Sequence, residues 1–169
     1  DTSDEAIVVR YLNEYFEQMT LIAAEHGGTV DKFIGDGVMV FFGDPDSRGP
    51  GADACACIEM ALRMRAATDI LSATWQSITQ NINVQIRIGI HTGYCLVGNF
   101  GSVKRMEYTA LGRTVNIASR LESAANRSEI LISEATRALV KPWVLTQDKR
   151  VIRVKGIAEQ ITVYGVKGM

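Results

Sequence analysis

This sequence has few cysteines, almost no excess of one charge and no long apolar run. The three cysteines (Cys55, Cys57 and Cys95) include no Cys-x-x-Cys pair, which argues against a disulfide framework or a zinc ribbon and favours a reducing, cytoplasmic environment. The 18 basic and 19 acidic residues leave a net charge of -1, so we expect no nucleic-acid partner. Because no apolar run approaches the roughly 18 residues that span a bilayer, we expect no membrane contact by this domain.

What the sequence does contain is the composition of a globular domain. Hydrophobic residue types make up 47% of the chain and charged types 22%, which is typical of a folded domain and not of a disordered segment. A chain of 169 residues lies near the commonest size for one domain and can bury a core without disulfides. We therefore predict a single domain over residues 1–169.

Hydrophobic periodicity predicts helices and strands that interleave along the chain. Apolar residues at three- and four-residue spacing predict a first helix that ends at Gly27 and Gly28. The later segments are strands over 29–34 and 38–43, a helix over 52–78, a strand over 84–90, a strand pair with a projecting arm over 94–111, a helix over 114–125, a strand over 129–132, a helix over 134–140 and β structure over 143–164. This order favours an α/β sandwich with a mixed or antiparallel sheet and helices on one face.

Asp36 stands between Gly35 and Gly37, where two short β runs meet in a hairpin turn. A carboxylate held out on a stiff turn suits a hard cation, since Mg²⁺ binds through few protein carboxylates together with substrate oxygens. An Asp-Gly turn is also favoured for its backbone alone. Taken in isolation, the motif favours the backbone role, with a metal ligand as the alternative.

Asn116 and Arg120 lie four residues apart and therefore share one face of the predicted helix. An amide and a guanidinium arranged this way could orient a sugar and stabilise charge on a phosphoryl group, although an ordinary polar helix face is commoner. Lys155 follows a strand and could reach terminal phosphates as a point charge, or lie on the surface. Lys32 and Thr109 are polar residues in strand-like segments, where each could simply face solvent.

These motifs, taken together and in this order, resemble the catalytic domain of the class III nucleotide cyclases of the bacterial adenylate cyclase type. The resemblance covers nearly the whole chain, and its two longest blocks are highly specific. The matching segments are LNEYF (12–16), GTVDKFIGDG (28–37), GIHTG (89–93), YTALGRTVNIASRLE (108–122) and VKG (154–156).

The resemblance implies a ferredoxin-like α/β sandwich that works as a head-to-tail homodimer, with active sites built from both subunits. It implies the conversion of ATP to 3′,5′-cyclic AMP and pyrophosphate, with two Mg²⁺ or Mn²⁺ ions supporting an in-line attack of the ribose 3′-hydroxyl on the α-phosphorus. It also implies an N-terminal regulatory region in the full-length protein.

The roles of individual residues follow from the same resemblance. Asp36 would be a metal ligand, Asn116 would orient the ribose, and Arg120 would stabilise the charge of the transition state. Lys155 would bind the terminal phosphates. Lys32 and Thr109 would form the purine-reading pair, whose lysine favours adenine. His91 in the GIHTG segment is predicted to be structural.

One part of the family pattern is missing. The family opens with a strand that carries the first metal aspartate, and this chain starts at the helix that should follow that strand. The leading hypothesis is nevertheless an adenylate cyclase. The alternatives are a guanylate cyclase, against which Lys32 argues, and a non-catalytic cyclase-like domain that dimerises or senses nucleotide. The non-catalytic hypothesis is weakened by the presence of Asp36, Asn116 and Arg120.

Overall fold

A computed structural model of the chain describes residues 2–154, 156 and 158–169. Within these residues the elements are α1 (Thr2–Glu25), β1 (Thr29–Ile34), β2 (Gly37–Phe41), α2 (Pro50–Ile78), β3 (Ile88–Ile90), β4 (Leu96–Ser102), β5 (Arg105–Leu111), α3 (Arg113–Ala124), β6 (Ile130–Ser133), α4 (Glu134–Val140), β7 (Leu145–Arg153) and β8 (Gln160–Gly168). None of the described helices is both long enough and apolar enough to cross a membrane.

The strands form three hydrogen-bonded groups among the described residues. β1 and β2 make a short antiparallel hairpin, and β4 and β5 make a second hairpin with a seven-residue register. The third group is a four-stranded sheet in the order β3-β6-β8-β7, in which β3 runs parallel to β6 and the other pairs are antiparallel. The predicted α/β sandwich, with its mixed sheet, flanking helices and projecting β arm, is confirmed.

One hydrophobic cluster joins α1 and α2 to the first hairpin. Met19 of α1 and Met60 of α2 are buried at its centre, and valines of β1 and β2 pack against them. Ile88 of β3 contacts the same cluster. The hairpin and the four-stranded sheet are therefore held by the same two helices, although no hydrogen bonds between strands join them in the described residues.

Gly89 allows α3 to lie directly on β3. A Cβ atom at this position would come within 2.2 Å of the backbone nitrogen of Glu122 and 2.5 Å of the carbonyl oxygen of Ala118. Both atoms belong to the α3 backbone, so no side-chain rotation could make room. On the inner side of α3, Ile117 and Leu121 are buried, and this packing fixes which face of the helix points outward.

The strand predicted over residues 84–90 is shorter than expected. Only Ile88–Ile90 pairs with β6, and the preceding residues leave the sheet, with the backbone N–H of Val84 donating to Ser72 Oγ over 3.1 Å. The alternating pattern was correct about burial but wrong about pairing, because a strand also needs a neighbour along its whole length. In the described residues no strand precedes α1; that this chain lacks the family's first strand stays a prediction.

Candidate active site

Side chains of β1 and β5 meet around a buried carboxylate, that of Asp31, whose side chain is 1% exposed. The Thr109 hydroxyl lies 2.8 Å from each of its two oxygens, and the backbone N–H of Ala110 donates to Oδ2 over 2.9 Å. Lys32 Nζ lies 3.6 Å from Asp31 Oδ1 and 4.0 Å from Glu107 Oε2. The structure thus brings two predicted site residues, Lys32 and Thr109, to a single carboxylate.

A β-bulge explains how two consecutive residues reach the same neighbourhood. In a regular strand, successive side chains point to opposite faces. The register of the β1–β2 ladder shifts between Val30 and Lys32, so Asp31 has no partner across the hairpin. Bulges of this kind re-aim side chains, and here Asp31 contacts β5 while Lys32 stays beside it. Asp31 is the residue that the sequence analysis missed.

One end of the cluster is buried and the other is open to solvent. Thr109 is 3% exposed and Asp31 is almost completely buried, whereas the Lys32 side chain keeps 38% of its surface in solvent. A ligand that reaches this cluster would meet an ammonium group and, behind it, a hydroxyl already bonded to a carboxylate. Such a wall can read the polar edge of a planar base.

Asp36 occupies the tip of the β1–β2 hairpin and is exposed. Ile34 and Gly37 are the last paired residues, and Gly35 between them adopts a φ of 61°, a conformation that glycine reaches without steric cost. Burial, and secondarily the charge of Asp36, raise the pKa of Tyr15 to about 12. The Tyr15 hydroxyl therefore stays neutral near the Asp36 carboxylate.

For a divalent cation, the donor set around this tip is sparse. No group of three or more His, Cys, Asp or Glu side chains within the described ranges is arranged to hold a metal ion. Mg²⁺ often binds through one or two carboxylates and completes its shell with water and substrate phosphates. Asp36, exposed on a stiff turn, fits the role of one such ligand and not that of a closed metal site.

Asn116 and Arg120 lie on the outer face of α3, opposite the buried Ile117 and Leu121. Both side chains are exposed, and Arg120 makes no ion pair in the described part of the chain. The shared face predicted from their spacing is therefore present, with a guanidinium available to an anionic ligand. Lys155, the predicted phosphate ligand, lies outside the described residues.

A separate pocket of about 290 Å³ opens beside the start of α3. His91, Arg113, Ser133 and Glu159 are among its lining residues, whereas Asp36, Lys32, Thr109, Asn116 and Arg120 are not. His91 Nδ1 lies 2.7 Å from Ser133 Oγ. Burial, and secondarily the charge of Arg113, hold the pKa of His91 below its usual value. The structural role of His91 stays a prediction.

Comparisons with known proteins point to one family. Residues 2–168 match the family model described as the adenylate and guanylate cyclase catalytic domain. The chain is 33% identical over 165 residues to adenylate cyclase 1 of Rhizobium meliloti, an alignment that covers 96% of this chain and 24% of that protein. The chain therefore spans about a quarter of that relative's length.

Two crystal structures are closely similar to this chain in fold, but one is named an adenylyl cyclase and the other a guanylyl cyclase. The adenylyl cyclase CyaB from P. aeruginosa superimposes with a TM-score of 0.94 at 46% identity, covering 97% of this chain and 84% of that one. The guanylyl cyclase Cya2 gives a TM-score of 0.90 at 33% identity, covering 96% of this chain and 81% of that one. Overall similarity alone therefore does not distinguish adenine from guanine, and the question of base preference falls to individual residues.

Proposed function

The chain belongs to the adenylate and guanylate cyclase catalytic domain family, and on that premise we propose that it is an adenylate cyclase, which converts ATP to 3′,5′-cyclic AMP and pyrophosphate. The observation that carries this proposal is the gathering of Lys32 and Thr109 around one buried carboxylate. Both residues are the types that the resemblance assigns to an adenine-selecting pair.

Adenine and guanine exchange hydrogen-bond donors and acceptors at the positions that the Lys32–Thr109 pair would contact. Adenine carries an acceptor at N1 and an amine donor at C6, whereas guanine carries an N1–H donor and an O6 acceptor. The Lys32 ammonium has only donors, which suits adenine N1, and the Thr109 oxygen can accept from the 6-amine. A glutamate at position 32 would suit guanine instead.

The remaining roles concern the sugar and the phosphates. In the proposed reaction the ribose 3′-oxygen forms a bond to the α-phosphorus while the bond to the pyrophosphate oxygen breaks, and the proton of the 3′-hydroxyl is released to solvent. Asn116 orients the ribose, Arg120 stabilises the charge that builds on the phosphoryl group, and Lys155 binds the terminal phosphates. When bound, divalent ions such as Mg²⁺ or Mn²⁺ supply charge neutralisation at the phosphates and activation of the hydroxyl. Asp36 is the carboxylate of this chain that would hold them.

The proposal includes active sites shared across a homodimer. One observation supports it. The β4–β5 arm exposes apolar side chains, with Val103 98% and Met106 55% exposed. Exposed apolar patches on an arm are typical of interaction surfaces. A second copy of the chain would cover the arm and contribute further groups to each site.

A guanylate cyclase is the second candidate, because the fold is also similar to that of the guanylyl cyclase Cya2. The test is to supply the full-length protein with ATP or GTP and Mn²⁺ and to quantify both cyclic products. We expect cyclic AMP in large excess, and its loss in an Arg120→Ala control.

Cyclic GMP in equal or greater amount would make the protein a guanylate cyclase. Absence of both products, with nucleotide binding retained, would favour the non-catalytic alternative.

A further inference from the structure

The Thr109 hydroxyl has a single proton, and the structure determines where that proton goes. Both oxygens of Asp31 lie 2.8 Å from Thr109 Oγ1, whereas the carbonyl oxygen of Ala110 lies 3.5 Å away, at the limit of a hydrogen bond. A carboxylate only accepts hydrogen bonds, so the hydroxyl must donate to Asp31. Only its lone pairs then remain for any other partner.

The surroundings of Asp31 keep it an acceptor. All three groups placed around it are donors: the Thr109 hydroxyl, the Ala110 backbone N–H and the Lys32 ammonium. The Ala110 N–H and the Lys32 ammonium can only donate, so each of them is served by an acceptor oxygen of Asp31. This arrangement also offsets the cost of burying a charge, since a buried carboxylate is tolerated only when it is paired and hydrogen-bonded.

We propose that Asp31 is a positioning residue for base preference, which holds the Thr109 hydroxyl in an acceptor-only orientation. The inference rests on the proposed function, because it assumes that the Lys32–Thr109 pair contacts the purine. With the proton committed to Asp31, Thr109 accepts from the 6-amine of adenine. The O6 of guanine, itself an acceptor, meets a lone pair instead, and a hydroxyl that could otherwise rotate to donate is prevented from doing so.

The test is Asp31→Asn, which keeps the size of the side chain but adds an amide donor. The amide can donate to Thr109 Oγ1, and the hydroxyl proton then becomes free to serve guanine O6. We expect the ratio of kcat/KM for ATP to kcat/KM for GTP to fall by about tenfold or more, the order expected for one hydrogen bond and its mismatch. A purely structural role would lower both values together and leave the ratio unchanged, which would overturn the proposal.

The matched control separates Thr109 from Lys32, which also neighbours Asp31. In Thr109→Val the hydroxyl is absent, so adding Asp31→Asn should change the ratio no further. A full effect of Asp31→Asn in the Thr109→Val protein would show that Asp31 acts through Lys32, and the proposal would fail. Melting curves of each variant confirm that the compared proteins are folded.

A measurement on the unaltered protein tests the same polarity without relying on a variant. Inosine triphosphate keeps the O6 acceptor and N1–H donor of guanine but lacks its 2-amino group. We expect it to be rejected about as strongly as GTP, and its use at the rate of ATP would overturn the proposal. If the unaltered protein makes no cyclic AMP at all, the proposed function fails first. If it makes cyclic AMP and these ratios do not behave as described, only the role of Asp31 fails.

Discussion

Gly89→Ala should displace the helix that carries Asn116 and Arg120. The added Cβ would lie 2.2 Å from the Glu122 backbone nitrogen and 2.5 Å from the Ala118 carbonyl oxygen, against a normal contact of at least 3.4 Å. Since both atoms are backbone, α3 has to withdraw from β3 by about 1 Å. Forcing extra volume into a packed interface costs about 1–3 kcal/mol of unfolding free energy.

The catalytic effect should exceed what the loss of stability explains. A misplacement of about 1 Å can cost roughly 100-fold in rate, so we expect kcat to fall by about that factor well below the melting temperature. Base preference should persist, because Lys32 and Thr109 lie on β1 and β5 and not on α3. Urea unfolding and steady-state assays with ATP and GTP measure the two effects separately.

Gly51→Ala is the matched control. Gly51 lies in the first turn of α2, where an added Cβ would find its nearest neighbour at 3.7 Å, an ordinary contact. This variant should leave the rate unchanged and the stability equal or slightly higher, since alanine is favoured over glycine in a helix. If Gly89→Ala behaves like Gly51→Ala in both assays, the added Cβ does not displace α3.

Three further predictions concern charged groups. Arg120→Ala should lower turnover by roughly 100-fold or more with a smaller effect on ATP affinity, because the role proposed for the guanidinium is to stabilise charge that develops in the transition state. Binding of a non-cyclisable ATP analogue and kcat measure the two effects. Weakened binding with normal turnover would contradict this role. A mixture of Asp36→Ala and Arg120→Ala proteins should recover activity that neither has alone, since one intact shared site can form from two impaired subunits. A mixture that is shown to form heterodimers but stays inactive would argue against shared sites. Glu129→Gln should lower the melting temperature near neutral pH, because the hydrogen bond from Arg150 holds the pKa of Glu129 below its usual value. The stabilisation that the Glu129 carboxylate gains from Arg150 is present above the unfolded pKa of about 4.3 and is lost as the pH falls through the lower folded pKa. The melting temperatures of the unaltered protein and Glu129→Gln should therefore converge in acid. A difference that stays constant with pH would contradict this role of the Glu129–Arg150 pair.

The secondary structure was largely predictable because local patterns determine it. Helix α1 ends where Gly27 and Gly28 interrupt the apolar spacing, and the arm reverses at its tip between Ser102 and Arg105. The exception is β3, where alternation continues beyond the last hydrogen-bonded partner on β6. Periodicity reports which side chains are buried, whereas pairing depends on a strand contributed from elsewhere in the chain.

Contacts in the candidate site were predictable from the sequence only where the residues lie close together along the chain. Asn116 and Arg120 share a face because four residues make about one helical turn, so their spacing was sufficient. The contact between Asp31 and Thr109 joins residues 78 positions apart, and no spacing rule pairs them; the resemblance paired Thr109 with Lys32 instead. The sequence shows both halves of this contact but not that they touch.

Asp31 was missed for a physical reason. Strand alternation would send it to the face opposite Lys32, where an aspartate is an ordinary solvent-facing residue. The bulge reverses that expectation by removing Asp31 from the β1–β2 ladder and burying it against Thr109 and the Ala110 N–H. A regular strand with the same two residues would keep Lys32 as a donor but leave the Thr109 hydroxyl free to donate or accept. The acceptor-only orientation proposed for the Thr109 hydroxyl therefore depends on the backbone irregularity as much as on the residue types, and base preference should respond to changes in either.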